Sequence, residues 1–103
     1  MGKDRLRELD KLENYRKERE IPYVRRDVMD GTHFERHQVA VLDEDGNRIW
    51  DAICQYGSYG YESGLLEVMG DIVDEELHGD QIEGFLTANE VIRRVEIAER
   101  RPA

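Results

Sequence analysis

The residues with chemistry in them gather between Trp50 and Gly70: a lone Cys54, tyrosines at 56, 59 and 61, Ser58 and Ser63, and glycines at 57, 60, 64 and 70. A glycine-rich junction between a strand and a helix cradles phosphate when its backbone N–H groups converge on one point. The spacing here is wrong for that. Gly57, Gly60 and Gly64 stand three and then four apart; this is not the dinucleotide fingerprint, and no Gly-Lys-Ser/Thr follows as a phosphate-binding loop requires. The stretch reads instead as a strand-to-helix corner. Gly57 and Gly60 allow the turn, Ser58 or Ser63 caps the helix that follows, and the tyrosines pack over the sheet edge. Its functional competitor is a partner-binding surface of Tyr56, Ser58, Tyr59, Tyr61 and Glu62, since tyrosine is over-represented among the residues that dominate protein interfaces.

The other candidates for chemistry are weaker. His33 and His37 flank Glu35 at a spacing of four, but the order His-Phe-Glu-Arg-His is not the zinc-protease pattern, in which Glu directly follows the first His. The segment also reads more like strand than helix, so these are expected to be surface histidines and no metal site is expected. His78 sits in an acidic connector, where a carboxylate neighbour accounts for it. The nearest basic residue to Cys54 in sequence is Arg48, so nothing nearby in the chain lowers the thiol pKa. On an inner strand it reads as a small buried hydrophobe. Ser58 and Ser63 have no identifiable His-Asp relay, and Asp74, Glu75 and Glu76 read as a solvated face. The expectation is no enzyme and no cofactor.

Charge narrows the choice of partner. The chain has 103 residues, 38% of them charged, and a net charge of -9. From Ile49 to Ile92 there are ten acids (Asp51, Glu62, Glu67, Asp71, Asp74, Glu75, Glu76, Asp80, Glu83, Glu90) and no lysine or arginine. All of the net charge therefore lies in the segment that holds the glycine loop. Such a segment lacks the cations on which nucleic-acid affinity depends, which excludes direct DNA or RNA binding through this half. It invites an alternative instead: Asp71, Asp74, Glu75, Glu76, Asp80 and Glu83 as a phosphate-like array that mimics nucleic acid before a basic host protein. The charged start, the single cysteine and the lack of a long apolar run point to a soluble, cytoplasmic protein with no membrane partner.

The elements that must position these groups read as one α+β domain. Residues 3–20 form an N-terminal helix, with Leu6, Leu9, Leu12 and Tyr15 at spacing three. That stripe drifts round the helix, so the helix is expected to lie on the domain partly detached, and self-association through it stays open. Ile21-Pro22 ends it. Asp30-Gly31 and Asp45-Gly46 are hairpin dipeptides. The second joins Gln38–Asp43 to Arg48–Gln55, with Val41 opposite Trp50 and Leu42 opposite Ile49. The first joins weaker, more charged strands, Tyr23–Met29 and Thr32–His37, so the antiparallel meander has two or three strands. After the loop, Glu62–Met69 is read as a short helix stopped by Gly70, and Asp71–Asp80 as an acidic connector or a loose helical turn around Ile72, Val73 and Leu77. Thr87-Ala88-Asn89-Glu90 is a capping box, and Val91, Ile92, Val95 and Ala98 recur at core-facing spacing, so a C-terminal helix packs on the sheet.

The order Trp50-x-x-x-Cys54, Gly57-Ser58-Tyr59-Gly60, Gly64-Leu65-Leu66-Glu67, Gly70 and Glu83-Gly84-Phe85-Leu86-Thr87-Ala88-x-Glu90-Val91 resembles small uncharacterised proteins of bacteriophages and prophages. The resemblance covers the C-terminal half and carries no known activity or catalytic residue. It implies an accessory protein inside a bacterial host, whose partner is a host or phage protein.

Overall fold

The computed structural model describes residues 5–29, 35–73 and 82–100. The helix formers near the N-terminus build α1 (Arg7–Glu18), shorter at both ends than the expected 3–20. It stops ahead of Ile21-Pro22 as expected, through a hydrogen-bonded cap. The Glu20 N–H donates to the Lys17 carbonyl at 3.1 Å and the Ile21 N–H to the Arg16 carbonyl at 2.9 Å. This is the Schellman arrangement, and it puts Glu20 at φ 56°, where glycine is the usual occupant.

Five antiparallel strands follow: β1 (Val24–Met29), β2 (Glu35–Leu42), β3 (Arg48–Ile53), β4 (Leu66–Gly70) and β5 (Ile82–Leu86), before α2 (Ala88–Arg100). They lie side by side in chain order, a meander throughout. Side chains alternate across a sheet, so Val39 pairs with Ala52, Ala52 with Val68, and Val41 with Trp50, all on one face. Both helices cover that face. Leu9 and Leu12 of α1 and Val91 and Val95 of α2 are fully buried against Val39, Trp50, Ala52, Leu66 and Val68. Leu6 and Tyr15, the other members of the α1 stripe, are only half-buried.

The helices run parallel, as three polar contacts show. Near their starts, Glu8 Oε1 accepts the Ala88 N–H at 2.8 Å, so a residue of α1 caps α2. Towards their ends, the Tyr15 hydroxyl donates to Glu96 Oε2 at 3.1 Å and Arg16 donates to both Glu99 oxygens at 3.0 Å. Arg16 is 1% exposed and also donates to the Pro22 carbonyl at 2.9 Å, with its guanidinium 5.5 Å above the Trp50 ring centroid. A second arginine ties β1 to α1: Arg25 contacts Asp10 and Glu13 of α1 and Asp27 of its own strand, each at 3.0 Å. The capping box forms as expected. Thr87 N–H donates to Glu90 Oε1 at 3.0 Å and Glu90 N–H to Thr87 Oγ1 at 3.2 Å. The backbone donor at Thr87 holds the Glu90 carboxyl below the usual carboxylate range.

Four expectations are corrected. Among the described residues the sheet has five strands, not two or three. Of the weaker strands, Val24–Met29 pairs with Glu35–Ala40, so residues 35–37 run on into 38–42 as the single strand β2; the Asp30-Gly31 turn and residues 32–34 lie outside the described residues. The short helix at Glu62–Met69 is absent: a three-residue 3-10 turn, Tyr61–Ser63, is followed by β4. Gly60 and Gly64, at φ 95° and 71°, bound that turn on both sides, and the chain beyond gains ladder hydrogen bonds to β3. Leu66 and Val68 then face the core with period two, a pattern hidden because Leu65 and Met69 are also apolar. Finally, Val41 opposes Trp50 as expected, but a bulge sets Leu42 opposite Arg48, not Ile49. The loop is longer than two residues because Asp43 Oδ1 accepts the N–H groups of both Asp45 and Asn47 at 2.9 Å, an Asx-type closure. No helix among the described residues is long and apolar enough to cross a membrane.

Replacing Arg16 by Ala removes a packed stem from Trp50 and leaves the Pro22 carbonyl without its donor. The expected loss is about 3 kcal/mol in denaturant unfolding, with Arg16→Lys recovering only part because an ammonium lacks the planar fork. Glu20→Gly acts in the opposite sense, relieving a left-handed non-glycine residue. The same measurement is expected to show a gain of about 1 kcal/mol with an unchanged denaturant slope.

Candidate functional site

The glycine loop is closed from within. The Ser58 hydroxyl accepts the Gln55 N–H at 3.0 Å and donates to the Gln55 carbonyl at 2.7 Å. Tyr61 N–H donates to the Ser58 carbonyl at 3.1 Å, and Leu65 N–H to the Gly60 carbonyl at 2.9 Å. From β4, Glu67 reaches up, 6% exposed, and its Oε1 accepts the Tyr59 N–H at 2.9 Å. A carboxylate acceptor makes this the strongest of the loop's anchors. Ser58 is therefore part of the framework, and neither it nor Ser63 caps a helix.

Two aromatic pairs stand on this framework. Tyr56 meets Tyr61 edge to face at 6.1 Å, and Tyr59 stacks on Phe85 at 6.3 Å with 30° between the rings. Tyr59, Tyr56 and Phe85 are 58%, 56% and 63% exposed. Tyr61 is half-buried against the core and carries the Arg5 guanidinium 4.7 Å above its ring, with Arg5 Nη1 donating to its hydroxyl at 3.4 Å. Glu62 is exposed beside it. The expected packing of tyrosine over the sheet edge is met by Tyr59, which lies on β5. A methyl group at Gly84 would come within 2.3 Å of Tyr59 Cβ, so only glycine lets the loop sit this close.

Phe85 escaped sequence reasoning. It occupies the irregular part of the β4–β5 ladder and has φ 58°, a left-handed conformation unusual for an aromatic residue. Its N–H donates to the Tyr59 carbonyl at 3.4 Å. The available signal was Gly84-Phe85: a glycine inside an apolar run marks a bulge or a close backbone approach.

The remaining candidates are dispersed. Of the acidic array, Asp71 is exposed, while Glu83 is held by both Nε and Nη2 of Arg94 from α2. Asp74, Glu75, Glu76 and Asp80 lie outside the described residues, as do His33 and His78. His37 is buried, not on the surface as expected, because it shares the core face of β2 with Val39 and Val41; its Nδ1 lies 2.7 Å from Asp27 Oδ1 of β1. Burial opposes ionisation of Asp27, but its hydrogen bonds to His37 and Arg25 prevail and hold the carboxyl below its ordinary range. The backbone N–H of Cys54 donates to the His37 carbonyl, which sets the two residues opposite one another on the core face. They do not hydrogen-bond through their side chains: Sγ donates to the Arg5 carbonyl at 3.3 Å, and His37 Nε2 lies 3.5 Å from Glu35 Oε2 with no hydrogen-bond partner. Burial pushes the Cys54 thiol up, the opposite of what a nucleophile needs. Among the described residues no group of three or more His, Cys, Asp or Glu side chains is placed to hold a metal ion.

Compared with known protein families, curated proteins and solved structures, the chain finds no match. What the side chains present at this place is a set of aromatic rings facing solvent on a hydrogen-bonded loop.

Gly84→Ala tests how the surface is mounted. The added methyl group is expected to displace Tyr59 and lower stability by about 2 kcal/mol. Amide chemical shifts of Tyr59, Gly60 and Phe85 should move well beyond those of the distant β1. Unchanged shifts in the loop would mean that Tyr59 does not lie on β5.

Proposed function

We propose that this protein acts by binding another protein through the surface of Tyr56, Tyr59 and Phe85, without a reaction of its own. The observation that carries the reading is Phe85: a ring 63% exposed, on a backbone at φ 58°. A residue there costs on the order of 1 kcal/mol in strain, and an exposed ring returns little through burial, so folding alone does not account for the ring. Rings held by a cross-braced loop also lose little conformational freedom on association, which is what makes an aromatic residue an effective anchor. The bacterial setting of the proposal, an accessory protein working on a host or phage partner, is supported by the resemblance of the C-terminal half to phage and prophage proteins. The nucleic-acid mimic is the less favoured reading. Of its six carboxylates, Glu83 is paired with Arg94 and Asp71 alone is described as exposed.

Affinity capture from a bacterial lysate tests the proposal, with the unmodified chain, Tyr59→Ala and Phe85→Gly as baits. Glycine suits the backbone at 85, so that variant removes the ring and is expected to unfold no earlier than the parent. A partner retained by the parent should be lost from both variants. With purified components its affinity should fall at least tenfold, about 1.4 kcal/mol. A partner held equally by all three baits would remove this surface from the function.

A further inference from the structure

Resting on that surface, we infer the chemistry of what it holds: a segment of the partner bearing arginine or lysine, whose cation lies against the exposed faces of Tyr59 and Phe85. The chain already makes this contact with its own residues. Two residues beyond Tyr59, the Arg5 guanidinium sits over Tyr61 at 4.7 Å; elsewhere Arg16 covers Trp50 and Arg19 covers Tyr15 at 4.2 Å. Among the described residues, no guanidinium or ammonium group lies over Tyr59 or Phe85, although their rings are the most exposed of the group.

Charge points the same way. The segment 49–92 holds ten carboxylates and no lysine or arginine, and it contains both rings. Glu62 is exposed two residues beyond Gly60, and the Glu67 carboxylate lies directly under the Tyr59 backbone. An aromatic face attracts a cation through its quadrupole, and a surrounding negative potential strengthens and steers that approach. An anionic partner would meet repulsion at the same place, and an apolar one would draw nothing from the field. A basic segment uses both features together.

The test uses the full-length protein and defined probes: an acetylated, amidated peptide of Arg-Ser repeats, and its citrulline isostere, which keeps the shape and removes the charge. Titration followed by two-dimensional NMR is expected to shift the amides of Tyr59, Glu62 and Phe85 with the arginine peptide. Affinity should drop about fivefold or more in Tyr59→Ala and in Phe85→Gly, and the citrulline peptide should not bind. No binding, equal binding of the citrulline peptide, or binding that survives both substitutions would each overturn the inference. The lysate capture reports separately: a partner lost from both variants while the arginine peptide stays inert leaves the surface standing and removes only the basic segment.

Discussion

One buried guanidinium sets the geometry on which the rest depends. Arg16 touches four elements at once: its own helix α1, Glu99 at the end of α2, the Pro22 carbonyl ahead of β1, and the face of Trp50 on β3. Burying a cation costs much unless it is paired, and here Nη1 meets Glu99 and Nη2 the Pro22 carbonyl while Nε is buried without a hydrogen-bond partner; Glu99, Pro22 and Trp50 come from parts of the chain far apart in sequence. Satisfying Arg16 therefore fixes how far α1 reaches, where the chain must turn towards β1, and the direction of α2 beside α1. The opposite end is held by Glu8 at the start of α2. With both ends fixed, the helix pair lies across one face of the meander, and the glycine loop is left to fold against the start of α1, where Arg5 meets Tyr61 and Cys54.

Local signals in the sequence give the two helices, the hairpin through Val41 and Trp50, and the capping box, because each rests on contacts within a few residues. What the sequence conceals depends on partners distant in the chain. Leu65-Leu66-Glu67-Val68-Met69 has apolar residues on either parity, so neither period is clean, and only the ladder with β3 and β5 selects the strand. β5 is hidden for a related reason: Gly84 weakens a strand unless some group needs the space above it, and that group is Tyr59, far back along the chain. The candidate site is divided the same way. Its tyrosines can be read from composition, whereas Phe85 joins them only because the loop folds back on β5.

Charge is the second case in which a linear reading misleads. The acidic segment looks like one continuous anionic surface, yet several of its carboxylates serve the fold. Glu67 anchors the Tyr59 amide, Asp51 is buried and accepts the Gln38 side-chain amide at 2.7 Å, Glu83 is held by Arg94, and Glu90 closes the α2 cap. Of the basic residues of the remainder, Arg25 and Arg16 engage acids of their own half, while among the described residues Arg48 and Arg94 reach only two of the ten acids in the segment, Asp51 and Glu83. Excess negative charge thus remains with the loop's half of the chain as a field rather than as a row of free carboxylates. A field of that kind governs which partner approaches, while the contact itself must come from groups that face solvent.

Those groups are aromatic, and the backbone around them holds them in place. A ring left outside by chance would sit in a relaxed backbone and swing freely. Here Tyr59 is fixed by its amide to Glu67, by close contact with Gly84 and by its carbonyl to Phe85, while Phe85 keeps a left-handed backbone that glycine would occupy at lower cost. Rigidity and strain are both borne by residues whose side chains contribute little to the core. Constraint in this part of the fold is thus concentrated on exposed rings, for which burial returns little.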